Sequence, residues 1–180
     1  MTREKVEKSV VNHPSGLKLF LASDNPRDVN LINQVENFTS LVTHLASLAR
    51  YVVLDLGSGL PMFTQKLLSL CSERIIVMEG MPATIQQTRY MIDEIVKLGV
   101  ERSEITVILN NRQRSEAQMP WAQVQDKLNH TITTAITPAP ELLLQASRLQ
   151  TPAVIAQPMN MTSQQFVKIA DSIIEREKAR

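Results

Sequence analysis

A chain of 180 residues has the length of one domain, and 43% hydrophobic with 21% charged residues is the composition of a globular protein. Lys and Arg number 19 against 18 Asp and Glu, which excludes a global electrostatic pull toward nucleic acid or an anionic membrane. Cys71 is the only cysteine, which excludes an intrachain disulfide; among Leu67, Leu68 and Leu70 it reads as a small core residue. The start, Met1-Thr2-Arg3-Glu4-Lys5, is charged with no apolar run behind it, so the expectation is a cytoplasmic protein with neither a secretory leader nor a membrane span.

Along the chain, short β-branched runs alternate with helical repeats. Strands are expected at Leu17–Ala22, Tyr51–Leu56, Arg74–Glu79, Ile105–Asn110, Thr131–Ile136 and Ala153–Gln157. Most lack an apolar/polar alternation, as strands covered on both faces do. Leu31, Val35, Phe38, Val42, Leu45 and Ala49 recur at three- and four-residue steps and predict a helix. Ile85, Thr88, Ile92, Ile95 and Val96 predict another, opened by Pro82 and closed by Gly99. Thr162-Ser-Gln-Gln165 reads as a capping box ahead of Phe166, Ile169, Ile173 and Ile174. The alternation implies right-handed crossovers and one three-layer α/β/α domain over residues 1–180, with a mostly parallel sheet.

In such sheets ligands bind beyond the carboxyl ends of the strands. The most informative run is Tyr51-Val-Val-Leu-Asp-Leu-Gly-Ser-Gly-Leu60. It delivers Asp55 to the end of an apolar segment, and Gly57 and Gly59 let the backbone turn tightly and approach a ligand. Two chemistries use such a position. In nucleotide hydrolysis the carboxylate orients water on Mg²⁺ and a glycine amide senses the γ-phosphate. In methyl transfer the glycine loop approaches S-adenosylmethionine and an acid at the end of the next strand holds the ribose; Glu79 stands there. The plain structural reading is that Asp55 caps the turn. The methyltransferase pattern weakens at Pro61, where a third glycine is expected, and a strand and helix precede Asp55. Arg112, Arg114 and Arg148 could form a basic patch for DNA but read better as a solvated face. His13, His44 and His130 show no ligand spacing, so no metal site is expected.

A longer, ordered set of segments resembles one family. His13-Pro-Ser-Gly-Leu-Lys-Leu-Phe-Leu-Ala22 is similar to the "H-x-S-G-L, then a strand" segment of the CpaE-like branch of the MinD/ParA ATPases. Tyr51–Asp55 resembles the Walker B strand of that family, Arg74–Glu79 the next strand, and Met81–Gly99 the long helix after it. Ile105–Arg112, with Asn110-Asn111-Arg112, resembles the strand ending in Asn-Arg. Thr133–Pro138 resembles the strand before a proline-bearing loop, and Gln145–Pro152 the helix and turn that follow. The match runs in order over nearly the whole chain.

The resemblance implies a truncated P-loop NTPase-like fold. It makes Asp55 the Walker B carboxylate and Gly59 the switch glycine, with Gly57 where a proline is often seen. Asn110, or the adjacent Asn111, would hydrogen-bond the adenine edge, and backbone near Pro138 would flank the base. It implies ATP and Mg²⁺ in the intact family, a dimer switch, and a role in positioning or assembling a pilus or secretion apparatus, in the cytoplasm or at the inner face of the membrane. The departure is the phosphate loop. No Lys-Gly-Gly-x-Gly-Lys-Thr occurs in these residues, and Gly16-Leu17-Lys18 lacks both the spacing and the hydroxyl for Mg²⁺. No cofactor is therefore expected to stay on these residues alone, and contacts with other proteins become the expected mode of action. Without the neighbouring phosphate-loop strand, Val52, Val53 and Leu54 are expected on a strand with one unpaired side. A second copy, or the remainder of a longer protein, is expected to cover it.

Overall fold

The structure, a computed structural model, describes residues 2–112 and 119–179. The chain divides into two compact units, Met1–Cys71 and Ser72–Arg180. The first opens with helix α1 (Arg3–Ser9), whose Val6 is fully buried. Strands β1 (Val11–Asn12) and β2 (Lys18–Leu19) then pair antiparallel. Gly16, at φ 88°, makes their turn possible, and the His13 amide donates to the Leu17 carbonyl at 2.8 Å. The strand expected over Leu17–Ala22 is thus cut to two residues of a hairpin.

A 3₁₀ segment (Pro26–Asn33) follows, capped by the Asn25 side chain, which accepts from the Arg27 amide. Helix α2 (Val35–Ala46) carries the predicted stripe, but none of its residues is fully buried. Its half-buried Phe38 packs against Phe63 of α3 (Met62–Leu68), with ring centroids 5.2 Å apart. Between α2 and α3, Tyr51–Leu56 joins neither sheet, and Val53 is 93% exposed. The expected strand is not there. A strand exists only as half of a ladder, and β-branched composition alone supplies no partner.

The second unit is a parallel α/β layer. Strand β3 (Arg74–Met78) leads through α4 (Pro82–Lys97) to β4 (Ile105–Asn110), and β4 through α5 (Trp121–Leu128) to β5 (Ile132–Ile136). The order is β3-β4-β5, all parallel, with Arg74 opposite Ile105 and Asn110 opposite Ile136. Pro82 starts α4 and Gly99, at φ 92°, ends it, as the sequence predicts. The central strand is buried on both faces from Ile105 to Leu109. Ile85, Ile92 and Ile95 of α4, Val124 and Leu128 of α5, and Leu142 of α6 (Pro140–Arg148) complete the core.

Ala153–Gln157 is a further correction. It forms the short helix α7 (Ala153–Ala156), because Pro152 suits the position ahead of a first helical turn and its carbonyl accepts from both Ile155 and Ala156. The final helix α8 (Met161–Lys178) is anchored near its far end by Arg176, whose Nη2 donates to Glu73 Oε2 at 2.9 Å and to Thr106 Oγ1 at 3.3 Å. No helix among the described residues is long and apolar enough to cross a membrane.

Candidate functional site

Parallel strands deliver their last residues to one edge, and here three loops meet at it: Glu79–Met81 after β3, Asn110–Arg112 after β4, and Thr137–Ala139 after β5. Asn110 is the last residue of the central strand, so the two other loops flank it. It is half-buried, and no described residue hydrogen-bonds its carboxamide. The Asn111 amide donates to the Ile136 carbonyl at 3.0 Å, continuing the ladder one step past the strand. Arg112 Nη1 donates to Glu79 Oε1 at 3.3 Å across the β3 and β4 loops. With Arg112 mostly exposed, that pair contributes at most about 1 kcal/mol. A carboxamide that no described residue engages, with one donor and one acceptor group and a strand-end proline on the neighbouring loop, can read the edge of a planar heterocycle.

The Pro138 loop is held by groups on α8. Thr162 Oγ1 donates to the Thr137 carbonyl at 3.1 Å, and Gln165 Oε1 accepts from the Thr137 amide at 2.9 Å. Gln165 Oε1 also takes the Thr137 hydroxyl at 3.1 Å. Thr162 is 2% exposed. The predicted capping box is therefore replaced: Asn160 caps α8 by accepting from the Thr162 amide at 2.9 Å, and the two supposed box residues clamp the strand end instead. This clamp was missed by sequence reasoning. Its signal, Thr and Gln three residues apart at a helix start, is the same as that of a capping box.

Asp55 and Gly59 belong to the other unit. Asp55 is exposed, and its Oδ1 accepts from the Gly57 amide at 3.1 Å. That is an Asx turn, the capping geometry that the plain reading foresees. Gly57 and Gly59 have φ of 70° and 79°, with open space where a side chain would sit. Their glycine identity is thus required by the turn itself. Arg148 is exposed, while Arg114 lies outside the described residues. A shallow cavity of about 430 Å³ lies elsewhere, at the amino end of β5, lined by Gln125, Asp126, Asn129, His130 and Thr131. The His130 ring bonds the Ile105 carbonyl there at 2.9 Å, which gives that histidine a structural role.

The fold is like that of the MinD/ParA ATPases, which is P-loop NTPase-like. The chain superposes on a ParA family ATPase from Chlorobium tepidum with a TM-score of 0.83, at 16% identity over 94% of this chain and 70% of that one. It matches the septum site-determining protein MinD of Pyrococcus horikoshii, determined with Mg-ADP, at a TM-score of 0.77 and 19% identity, over 93% of this chain and 68% of that one. For the MinD cell division protein of Aquifex aeolicus the values are 0.74 and 20%, over 94% and 70%. No protein-family model and no curated protein matches the sequence. At such identities the likeness establishes the fold.

Proposed function

We propose that the chain is a MinD/ParA-type domain, CpaE-like in its segments, whose carboxyl edge in the second unit reads a nucleotide base. The observation that carries this is the half-buried Asn110 carboxamide, without a partner among the described residues, at the end of the central strand beside Pro138. The residues fit the base and not the triphosphate. Asn110 or Asn111 would take the adenine edge and the backbone at Pro138 would flank it. Asp55 keeps one carboxylate oxygen for a Mg²⁺-bound water, and Gly59 is the switch glycine. Bound Mg²⁺ would offset phosphate charge, but these 180 residues carry no Gly-Lys loop to cradle the phosphates, so no hydrolysis step is derived. The domain then acts mainly through contacts with a second copy and with proteins of a pilus or secretion apparatus, in the cytoplasm or at the inner face of the membrane.

Calorimetry on these residues should find Mg·ATP binding no tighter than about 1 mM and no ATPase activity above background. Micromolar affinity that disappears in Asp55→Ala would overturn the phosphate half of this reading. S-adenosylmethionine should leave the melting temperature unchanged. Glu79 is engaged by Arg112, and the Gly57–Gly59 loop follows no paired strand. A melting shift abolished by Glu79→Ala would restore the methyltransferase reading.

A further inference from the structure

We propose that Glu79 is a second reader of the base, a carboxylate that grips its exocyclic amine together with the Asn110 carboxamide. This deepens the base-reading function proposed above and rests on it. Strands β3 and β4 run parallel, with Met78 opposite Leu109. One step further along, Glu79 stands beside Asn110. Residues opposite one another in a ladder present their side chains to the same face, so carboxylate and carboxamide share one face of the edge. Arg112 gives independent support. The Asn111 amide still donates to the Ile136 carbonyl, so the chain stays extended and Arg112 falls on the same face as Asn110. From there its Nη1 donates to Glu79 Oε1 at 3.3 Å. Glu79 Oε2 has no partner among the described residues, and the side chain is 35% exposed. One carboxylate oxygen is thus held while the other is open to a ligand.

The spacing fits one chemical group. An exocyclic amine on an aromatic ring is planar, and two acceptors that take its hydrogens at about 2.9 Å each, roughly 120° apart, lie about 5 Å from one another. Neighbouring strands lie about 4.8 Å apart, so side chains at matched positions start from that separation. Asn110 Oδ1 takes one hydrogen of the adenine amine, and its Nδ2 donates to the adjoining ring nitrogen. Glu79 Oε2 takes the second hydrogen, which the carboxamide alone leaves unused. A base without the amine leaves both acceptors unpaired at a half-buried edge, and that is costly. A ribose diol would engage both carboxylate oxygens, one of which Arg112 already holds; an amine hydrogen needs only one. S-adenosylmethionine carries the same amine, but a site of about millimolar affinity stays empty at micromolar cofactor, so its melting test is unaffected.

The test is titration of the isotope-labelled chain with adenosine and with purine riboside, which lacks only the amine, followed by the amide shifts of 79–81 and 110–112. The wild type should bind adenosine about tenfold or more tightly than purine riboside, since two hydrogen bonds depend on the amine. Glu79→Ala should weaken adenosine binding, leave purine riboside unchanged and so lower that ratio. Glu79→Gln, whose carbonyl oxygen still accepts, should keep most of it. A merely structural role for Glu79 would weaken both ligands together. The inference is overturned if Glu79→Ala gives the wild-type ratio. The two proposals fail separately. Adenosine binding that Asn110→Ala removes and Glu79→Ala leaves intact sinks only the role of Glu79. A wild type whose amides adenosine does not move sinks the base site, and this inference with it.

Discussion

Replacing Ile92 with Ala is expected to lower the stability of the second unit by about 2–5 kcal/mol, the largest effect of any single change considered. Ile92 is fully buried in the middle of α4, on the same stripe as Ile85 and Ile95, and the core it enters includes the fully buried Val107, Val124 and Leu128. Truncation removes apolar area and leaves a cavity that three stiff, packed elements cannot close. For a unit of this size the melting temperature should fall by roughly 10–20 °C. Chemical denaturation of the variant checks this through a lower midpoint with an unchanged slope. A loss below about 0.5 kcal/mol, the range of ordinary surface changes, would show that α4 does not pack as described.

Thr162→Val comes next, at about 1–3 kcal/mol. The change keeps the shape of a side chain that is 2% exposed but removes the hydroxyl that donates to the Thr137 carbonyl and meets the Thr137 hydroxyl. A half-buried carbonyl then loses its partner, which costs more than a simple deletion on the surface. The consequence extends beyond stability. Thr137 precedes Pro138, so loosening the clamp should also weaken whatever the strand-end loop holds. Gln165→Leu should act in the same direction, because Gln165 takes both the amide and the hydroxyl of Thr137. The two effects should not add, since both variants free the same residue. Denaturation curves of the single and double variants measure this directly.

The parallel layer was legible in the sequence for a physical reason. Arg74–Met78, Ile105–Asn110 and Ile132–Ile136 are short runs rich in β-branched residues, and the helix between the first two carries a start signal at Pro82 and a stop signal at Gly99. Tyr51–Leu56 has the same character and forms no strand, because a strand's hydrogen bonds lie in another segment and composition says nothing of whether that segment is present. Ala153–Gln157 was misread because its apolar run is too short for periodicity to separate strand from helix. Among site residues, Asn110, Asn111 and Pro138 share one edge because parallel strands end together, which the order of runs already implied. The clamp was hidden, since Thr137 meets Thr162 and Gln165 only through the tertiary fold. The glycines at 57 and 59 were legible as a turn, and the Asx geometry at Asp55 accounts for them without a ligand.

The central claim is that the carboxyl edge of β3, β4 and β5 binds a base through Asn110. Titration of the isotope-labelled chain with millimolar adenosine, followed by amide chemical shifts, tests it most directly. The account predicts that the perturbed amides cluster at 79–81, 110–112 and 137–139, and that Asn110→Ala removes them while leaving the rest of the spectrum in place. Perturbations confined to the cavity beside His130, or a spectrum that adenosine does not move, would contradict it.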